Sequence, residues 1–482
     1  MDSCTRPLRD RFQSDGRWSR SAEDQVELED IVLDILEEFQ GKTVREKDEA
    51  RESSVQLRKE WKTDASTTQE EEKRETVRLK RNMHVNHLHR ALGKLPKSFR
   101  SLDASRVWIV YWAVHGLSCL EAELTPPGMD EDMLVDFIRR CQHPNGGIGG
   151  CPGHLPHLAA SYAGVAALIT IGTESALACV DRKKMERFLL SMCRDPSVGG
   201  GATMHEGGEI DIRGVYAMLA IAHMLGLDKR PFLERGLVDF VQKCQTFDGG
   251  IAAEPTCEAH GGYTYCGLAA LALVGKIDAL DLPRLVHWLV HRQDGLSGGF
   301  QGRTEKLVDG CYSWWQGASF SILQEHFAEY LAQTLVPTCY AGELDHDASP
   351  PIQGEGVECS VASMFPTEYA LDATASAPRP VQAPVCPSQP GEGFFLYNPL
   401  AQQAWSLICC QDAESGGLKD KPGVPPDFYH TCYNLAGIAA AQHVYRTQAL
   451  GGDTNLLPRV DPTTCVLQDR LQAALHHFHH HL

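Results

Sequence analysis

Apolar and polar positions along this chain follow two different rhythms. Segments 215–225 and 263–274 are apolar on every side of a helix, while 232–244 and 283–292 place apolar residues three and four apart with polar ones between. A helix apolar all round is buried, and an amphipathic one faces solvent along one side. The run 107–117, with Trp108, Tyr111 and Trp112 in five residues, belongs to the first kind. Glycine pairs punctuate the alternation at Gly146-Gly147, Gly199-Gly200, Gly249-Gly250, Gly298-Gly299 and Gly416-Gly417. The first three intervals, 53, 50 and 49 residues, each hold two helices and their turns. Four of the pairs close a similar phrase: Cys141-Gln142-His143-Pro144-Asn145, Cys244-Gln245-Thr246-Phe247-Asp248, Arg292-Gln293-Asp294-Gly295 and Cys410-Gln411-Asp412. The pattern predicts an all-α chain, an α/α barrel (toroid) in which buried inner helices alternate with amphipathic outer ones.

The last interval, 118 residues, breaks the period. Within it, 337–390 is rich in Pro, Ser, Ala and Glu, which reads as a disordered insertion outside the fold. Residues 81–336 and 391–450 then form a single barrel domain. The charge-rich stretch 1–80 reads as a flexible tail with one short helix near 32–39, and 451–482 as a C-terminal tail whose histidines are solvated.

Composition narrows the function classes. An apolar content of 43% over 482 residues marks a globular chain. No run approaches the roughly 20 apolar residues that span a bilayer, and the first residues lack the apolar core of a secretory signal. The 17 cysteines have no paired spacing, which points to buried free thiols in a reducing, cytoplasmic setting. A net charge of −18 argues against a nucleic-acid backbone as partner.

The richest chemistry lies in 298–315. Asp309 and Cys311 stand two apart, a spacing that lets a helix start aim both at one ion. Asp oxygen and Cys sulfur with a distant His would leave a tetrahedral zinc one open position, as catalytic sites do. Arg303 and Lys306 would hold an anion beside it. The plainer reading makes Asp309 a helix cap and Cys311 a core residue. Polar residues recur in one phase after the glycine pairs, at His157, Arg213, His260, Asp309 with Cys311, and His430. In an α/α barrel these positions start successive inner helices and converge on one rim, where helix N-termini favour anions. The chain contains no Asp-x-Asp-Asp, nucleotide loop or nucleophile elbow.

From about residue 82 to 442, outside the insertion, the chain resembles the β subunits of the protein prenyltransferases, most closely the farnesyltransferases. The resemblance rests on Leu102-Asp103-Ala104-Ser105-Arg106, on 258–267, on Gly299-Phe300-Gln301-Gly302-Arg303, on 307–313, on Asp420-Lys421-Pro422-Gly423 and on 427–433. It implies transfer of a farnesyl group from farnesyl diphosphate to the cysteine of a C-terminal CaaX motif, as carried by small GTPases. It also implies a heterodimer with a helical-repeat α subunit, one Zn²⁺ per β chain, and Mg²⁺. The residues matching the zinc ligands are Asp309, Cys311 and His430; those matching the diphosphate clamp are His260, Arg303, Lys306 and Tyr312, with Tyr312 also catalytic. Asp420 matches the carboxylate that holds magnesium at the diphosphate. The isoprenoid pocket would be lined by Trp108, Arg213, Tyr216, Tyr263, Cys266, Trp315 and Tyr433. The peptide would meet Ser105, Trp108, Trp112, His157, Ala159, Arg213 and Tyr429.

Three positions depart from the pattern. Val424 stands where a lysine often approaches the diphosphate, and Val107 and Ala160 replace prolines at the peptide side. Geranylgeranyltransferase type I β subunits, with the same chemistry on a longer lipid, are the nearest alternative. The bulky Trp108 and Tyr433 at the pocket floor and the acidic Asp420 point instead to the C15 lipid and magnesium. A non-catalytic barrel used as a binding module is a remote alternative, against which the intact Asp309, Cys311 and His430 stand.

Overall fold

The computed structural model describes residues 20–39, 77–335, 396–444 and 447–480. An N-terminal helix α1 (Arg20–Phe39) precedes six pairs, each an outer helix leading to an inner one. The pairs are α2 (Arg81–Leu92) with α3 (Arg106–Cys119), α4 (Glu131–Cys141) with α5 (Leu158–Ile171), and α6 (Arg182–Met192) with α7 (Ile212–Met224). Then come α8 (Leu237–Cys244) with α9 (Gly261–Ala272), α10 (Leu282–Val290) with α11 (Tyr312–Leu335), and α12 with α13 (Phe428–Gln442). Helix α12 runs as an α-helix over Pro399–Ala404 and continues as a π-helix over Trp405–Cys410. The last helix is α14 (Gln468–His480). Among the described residues β structure is limited to isolated bridges, and no helix is long and apolar enough to cross a membrane.

The two apolar rhythms become two concentric layers. Along α5 every residue but Ala159 is buried. The outer helices bury one stripe each: Leu134, Val135, Ile138 and Cys141 on α4, and Leu237, Phe240, Val241 and Cys244 on α8. That is the spacing of one helix face, and each large buried side chain contributes about 1.5–3 kcal/mol. The inner helices form a closed ring, α3 against α5, α5 against α7, and so on to α13, which packs back on α3.

The repeated phrase explains how units are joined. Gln142 donates to the Cys179 carbonyl (3.0 Å) ahead of α6, and Gln245 to the Asp281 carbonyl (3.0 Å) while accepting from the Asp281 amide (2.8 Å). Gln293 clamps Asn398 in the same two-way manner (2.9 and 2.8 Å). Gln411 closes the ring, donating to the Arg78 carbonyl (3.1 Å) and accepting from the Lys80 amide (2.8 Å). The glycine pair then turns onto the next outer helix. At Gly249 φ is +104° and a Cβ would lie 2.1 Å from the Arg284 carbonyl oxygen; at Gly416 (φ +74°) it would lie 2.1 Å from that of Met83. Both the left-handed backbone and the contact exclude a side chain.

Two terminal segments differ from the sequence expectation. Residues 451–480 are not a tail: the Tyr111 hydroxyl donates to the Cys465 carbonyl (2.7 Å) and that of Tyr162 to the Thr464 carbonyl (2.8 Å), and α14 packs on α5 and α7. The segment approaches the inner-helix C-terminal ends, with Arg470 against Gly172 and Phe478 against Gly226, and gives buried tyrosine hydroxyls their acceptors. The N-terminal helix is twenty residues long, and its Leu28 and Val32 pack against Val308, Trp405, Cys409 and Cys410 on the barrel. The expected insertion at 337–390 lies outside the described residues, as do the expected tail before residue 20 and residues 40–76.

Candidate functional site

All the polar residues in repeat phase arrive at the rim formed by the inner-helix N-termini. His157 and His260 are the N-caps of α5 and α9, their Nδ1 atoms accepting from the Ala159 and Gly262 amides at 3.1 Å each. Asp211 caps α7 by accepting from the Arg213 amide (2.7 Å), and Asp427 caps α13 by accepting from the His430 amide (2.7 Å). Asp309 Oδ1 accepts from the Cys311 amide (2.8 Å) at the start of α11. The cap reading of Asp309 therefore holds, and it is compatible with a ligand role for the same carboxylate.

Asp309, Cys311 and His430 each offer a ligand atom within 4.8 Å of the others. His430 Nε2 is 3.4 Å from Asp309 Oδ1, and donors on a tetrahedral zinc stand about 3.3–3.6 Å apart. His430 donates from Nδ1 to Asp427 Oδ2 (2.7 Å), which turns Nε2 toward Asp309. Burial opposes the charged imidazole, but hydrogen bonds to Asp309 and Asp427 push its pKa up to about 10. Burial likewise opposes the Asp309 carboxylate, and His430 with the Cys311 amide holds its pKa below the ordinary value. Burial, then the Asp309 charge, raises that of the Cys311 thiol. A divalent cation here would displace those protons and supply the positive charge the donors otherwise lack.

Beside these donors lies a hairpin that carries two cations. Bridges Gln293↔Phe300 and Gln301↔Val308 form a hairpin carrying Arg303 and Lys306. Arg303 is paired with Glu258 (2.8 Å), and Lys306 is exposed. Tyr312 lies against the hairpin because Gly302 has no side chain: a Cβ there would meet the Tyr312 oxygen at 2.1 Å. The Tyr312 oxygen is 2.9 Å from His260 Nε2. His260 Nδ1 accepts from a backbone amide, so its hydrogen is on Nε2 and points at the Tyr312 oxygen. Burial and then Arg303 lower the His260 pKa, which keeps the ring neutral. On the far side, Asp420 pairs with Lys421 through Oδ2 while its Oδ1 is buried without a partner. Burial and the neighbouring Asp309 raise its pKa. An orphaned buried carboxylate oxygen fits a site completed by a cation.

Below the rim, each inner helix contributes a ring to a closed aromatic belt. Trp108 of α3 meets Tyr162 of α5 (5.8 Å between centroids), Tyr162 meets Tyr216 of α7 (5.5 Å), and Tyr216 meets Tyr265 of α9 (5.3 Å). Tyr265 meets Trp315 of α11 (5.2 Å), Trp315 meets Tyr433 of α13 (4.5 Å), and Tyr429 returns to α3 at Trp112 (5.5 Å). Cys266 is buried beside the belt and Tyr263 lies at its edge, 5.8 Å under the Arg213 guanidinium. Arg213 itself is exposed at the rim and held by the buried Asp211 (2.9 Å). Ser105 and Ala159 flank the mouth at the starts of α3 and α5.

Four residues of this arrangement escaped the sequence reading. Asp427 and Asp211 had the signal of a carboxylate two or three residues before the polar one. Tyr162 and Tyr265 sit in apolar runs and carry no local signal that separates a ring of the belt from any other core residue.

The family model described as "Prenyltransferase alpha-alpha toroid domain" matches residues 79–466. The chain is 38% identical over 416 residues to a protein farnesyltransferase subunit beta of Pisum sativum, covering 81% of this chain and 92% of that protein. It is 36% identical over 421 residues to the subunit of that name in Arabidopsis thaliana, with 83% of each covered. Among solved structures, Candida albicans protein geranylgeranyltransferase-I complexed with GGPP superposes with a TM-score of 0.57, covering 82% of this chain and 98% of that one. At 20% identity this likeness concerns the fold.

Proposed function

The chain belongs to the protein farnesyltransferase β-subunit family, and we propose that it transfers a farnesyl group from farnesyl diphosphate to the cysteine thiol of a C-terminal CaaX motif. The observation that carries this reading is the meeting, at one rim, of the Asp309, Cys311 and His430 donors with the hairpin bearing Arg303 and Lys306, above a belt of aromatic rings. Asp309, Cys311 and His430 would hold zinc, and Asp420, through its orphaned Oδ1, magnesium at the diphosphate. When bound, the zinc supplies an open position that lowers the pKa of the incoming thiol, and the magnesium neutralises leaving-group charge.

The residues of the chain do the rest. The aromatic belt holds the isoprenoid chain and excludes water, which fixes C1 at the rim. Arg303 exchanges Glu258 for the diphosphate, and Lys306 and Tyr312 converge on the same oxygens. The sulfur electron pair forms the bond to C1, and the C1–O bond breaks with its electrons passing to the diphosphate. Donors fixed around that leaving group stabilise the charge as it develops. Arg213, held by Asp211, faces the side from which the peptide carboxylate would approach.

The hairpin offers two side-chain cations to the diphosphate, and Val424 adds none. The family reading includes a heterodimer, with an α subunit supplying a further lysine, and a cytoplasmic setting where CaaX proteins are made. The test is co-expression with an α subunit and lipid transfer to a CaaX peptide from C15 and C20 diphosphates. Preference for C15, stimulated by Mg²⁺, is expected. Trp108→Thr, which removes one side of the belt, should shift the preference toward C20. A wild-type enzyme that prefers C20 without a magnesium effect would overturn the reading.

A further inference from the structure

Among the described residues two groups bring three metal-ligating side chains within 4.8 Å of one another, and the second is Asp103, Cys151 and His154. It repeats the donor set of the first group on a different pair of inner helices, at the same rim. Asp103 lies in the 3₁₀ turn Lys97–Ser105 that enters α3, and Cys151 and His154 lie in the loop that enters α5. From the donors present, we propose that Asp103, Cys151 and His154 form a second site for a zinc-like divalent cation, distinct from the catalytic donors.

Geometry favours the site. Asp103 Oδ2 is 3.7 Å from His154 Nε2, close to the about 3.3–3.6 Å between oxygen and nitrogen or nitrogen and sulfur donors on tetrahedral zinc. The other Asp103 oxygen is engaged by Arg106 at 3.6 Å, which leaves Oδ2 for the ion. The backbones carrying the donors are fixed against each other before any ion binds. The Val107 amide donates to the Gly150 carbonyl (3.1 Å), and the His154 amide to the Cys151 carbonyl (3.1 Å). A Cβ on Gly150 would lie 1.7 Å from the Ala104 carbonyl oxygen, so the loop rests directly on the turn. Preorganised donors lose little entropy on binding.

The chemistry selects the ion. One thiolate, one imidazole and one carboxylate suit zinc or cobalt, whereas magnesium and calcium take oxygen ligands. Three protein donors leave a position for water or a ligand. The donors are part-exposed and Arg106 competes for Asp103, so the site should bind more weakly than the catalytic one. Occupied, it would fasten the turn bearing Ser105 to the loop leading to His157, where α3 and α5 begin.

The test uses the full chain in its heterodimer, stripped with chelator and titrated with Co²⁺. Bound cobalt is counted by mass spectrometry, and the thiolate-to-cobalt charge-transfer band is recorded. Wild type should take two equivalents in two phases. Cys151→Ser and His154→Gln should each remove the weaker equivalent, Cys151→Ser halving the band, with melting temperature in apo form unchanged. Cys311→Ala should remove the tighter equivalent and leave the weaker. One equivalent in wild type, or a Cys151→Ser protein that still takes two with full band intensity, would overturn the second site. Loss of both equivalents in Cys311→Ala would overturn it too, whereas loss of the tighter one alone in that variant leaves the catalytic reading intact.

Discussion

The hydroxyl of Tyr312 is the donor whose contribution can be isolated most cleanly. The Gly262 amide occupies His260 Nδ1, so the His260 hydrogen sits on Nε2 and is given to the Tyr312 oxygen at 2.9 Å. Tyr312 therefore has its own hydrogen free of His260. Burial, then the neighbouring Cys311 and Asp309, raises its pKa, so the group stays a donor throughout the neutral range. The bare Gly302 lets Tyr312 lie against the hairpin that carries Arg303, and in the proposed reaction that hydrogen would face the leaving diphosphate. A hydrogen bond to a charged group is worth about 1.5–3 kcal/mol. At about 1.4 kcal/mol per factor of ten, Tyr312→Phe should slow single-turnover transfer by about 10- to 150-fold. If the bond strengthens as charge develops, lipid diphosphate affinity should fall much less than the rate. His260→Ala should act through Tyr312, so the double variant should lose little more than Tyr312→Phe alone. The assay is rapid-quench transfer to a CaaX peptide, with lipid affinity measured by fluorescence. A Tyr312→Phe enzyme within twofold of wild type, or a loss lying entirely in lipid affinity, would refute this reasoning.

Other expectations follow from the same structure. With the proposed zinc on Asp309, Cys311 and His430, His430→Ala should lower metal content and abolish transfer while lipid diphosphate binding survives, which metal analysis beside a lipid-binding titration will check. Burial lowers the pKa of His84, His87 and His115 to about 4, against about 6.5 in the unfolded chain. The unfolded state then binds more protons between those values, so stability should fall as pH drops from 6.5 to 4, by roughly 3 kcal/mol per histidine. Denaturant melts at pH 7 and pH 5 test the sign, and equal midpoints would contradict it. Gly249→Ala meets both a positive φ and the Arg284 carbonyl, whereas Gly275→Ala meets only φ +64° and open space. The second should cost about 1–2 kcal/mol and the first clearly more, read as the difference in melting temperature.

The repeat was legible because it is written in composition and spacing. Glycine pairs mark turns that only glycine fits, and all-apolar segments mark helices buried on every side. The candidate site was legible through phase: a polar residue at the start of an otherwise apolar helix has to face something. Asp211 and Asp427 were not seen because a carboxylate ahead of a helix has an ordinary explanation as a cap. Its second contact, to Arg213 or to His430 Nδ1, exists only in three dimensions. Tyr162 and Tyr265 looked like core for a similar reason, since the belt assembles from one or two rings on each of six helices. The stretch 451–480 reads as a tail because its own apolar content is modest. Its place in the fold comes from acceptor carbonyls at Thr464 and Cys465, and backbone carbonyls leave no mark on a sequence.

Ring closure at Gln411 also bears on how this chain comes into being. The hydrogen bonds that join the last unit to the first link residues 331 and 333 positions apart, and Asn455 donates to the Val77 carbonyl across 378 (2.8 Å). An open solenoid can fold unit by unit as it leaves the ribosome. A closed toroid cannot, because α2 and α3 have their final neighbours only after α12, α13 and the segment through Asn455 have been translated. Until then the nascent chain holds apolar inner helices with one flank uncovered, and the closing step carries the loop entropy of almost the whole domain. Premature termination anywhere before that point should therefore yield a protein that is cleared rather than one that is smaller.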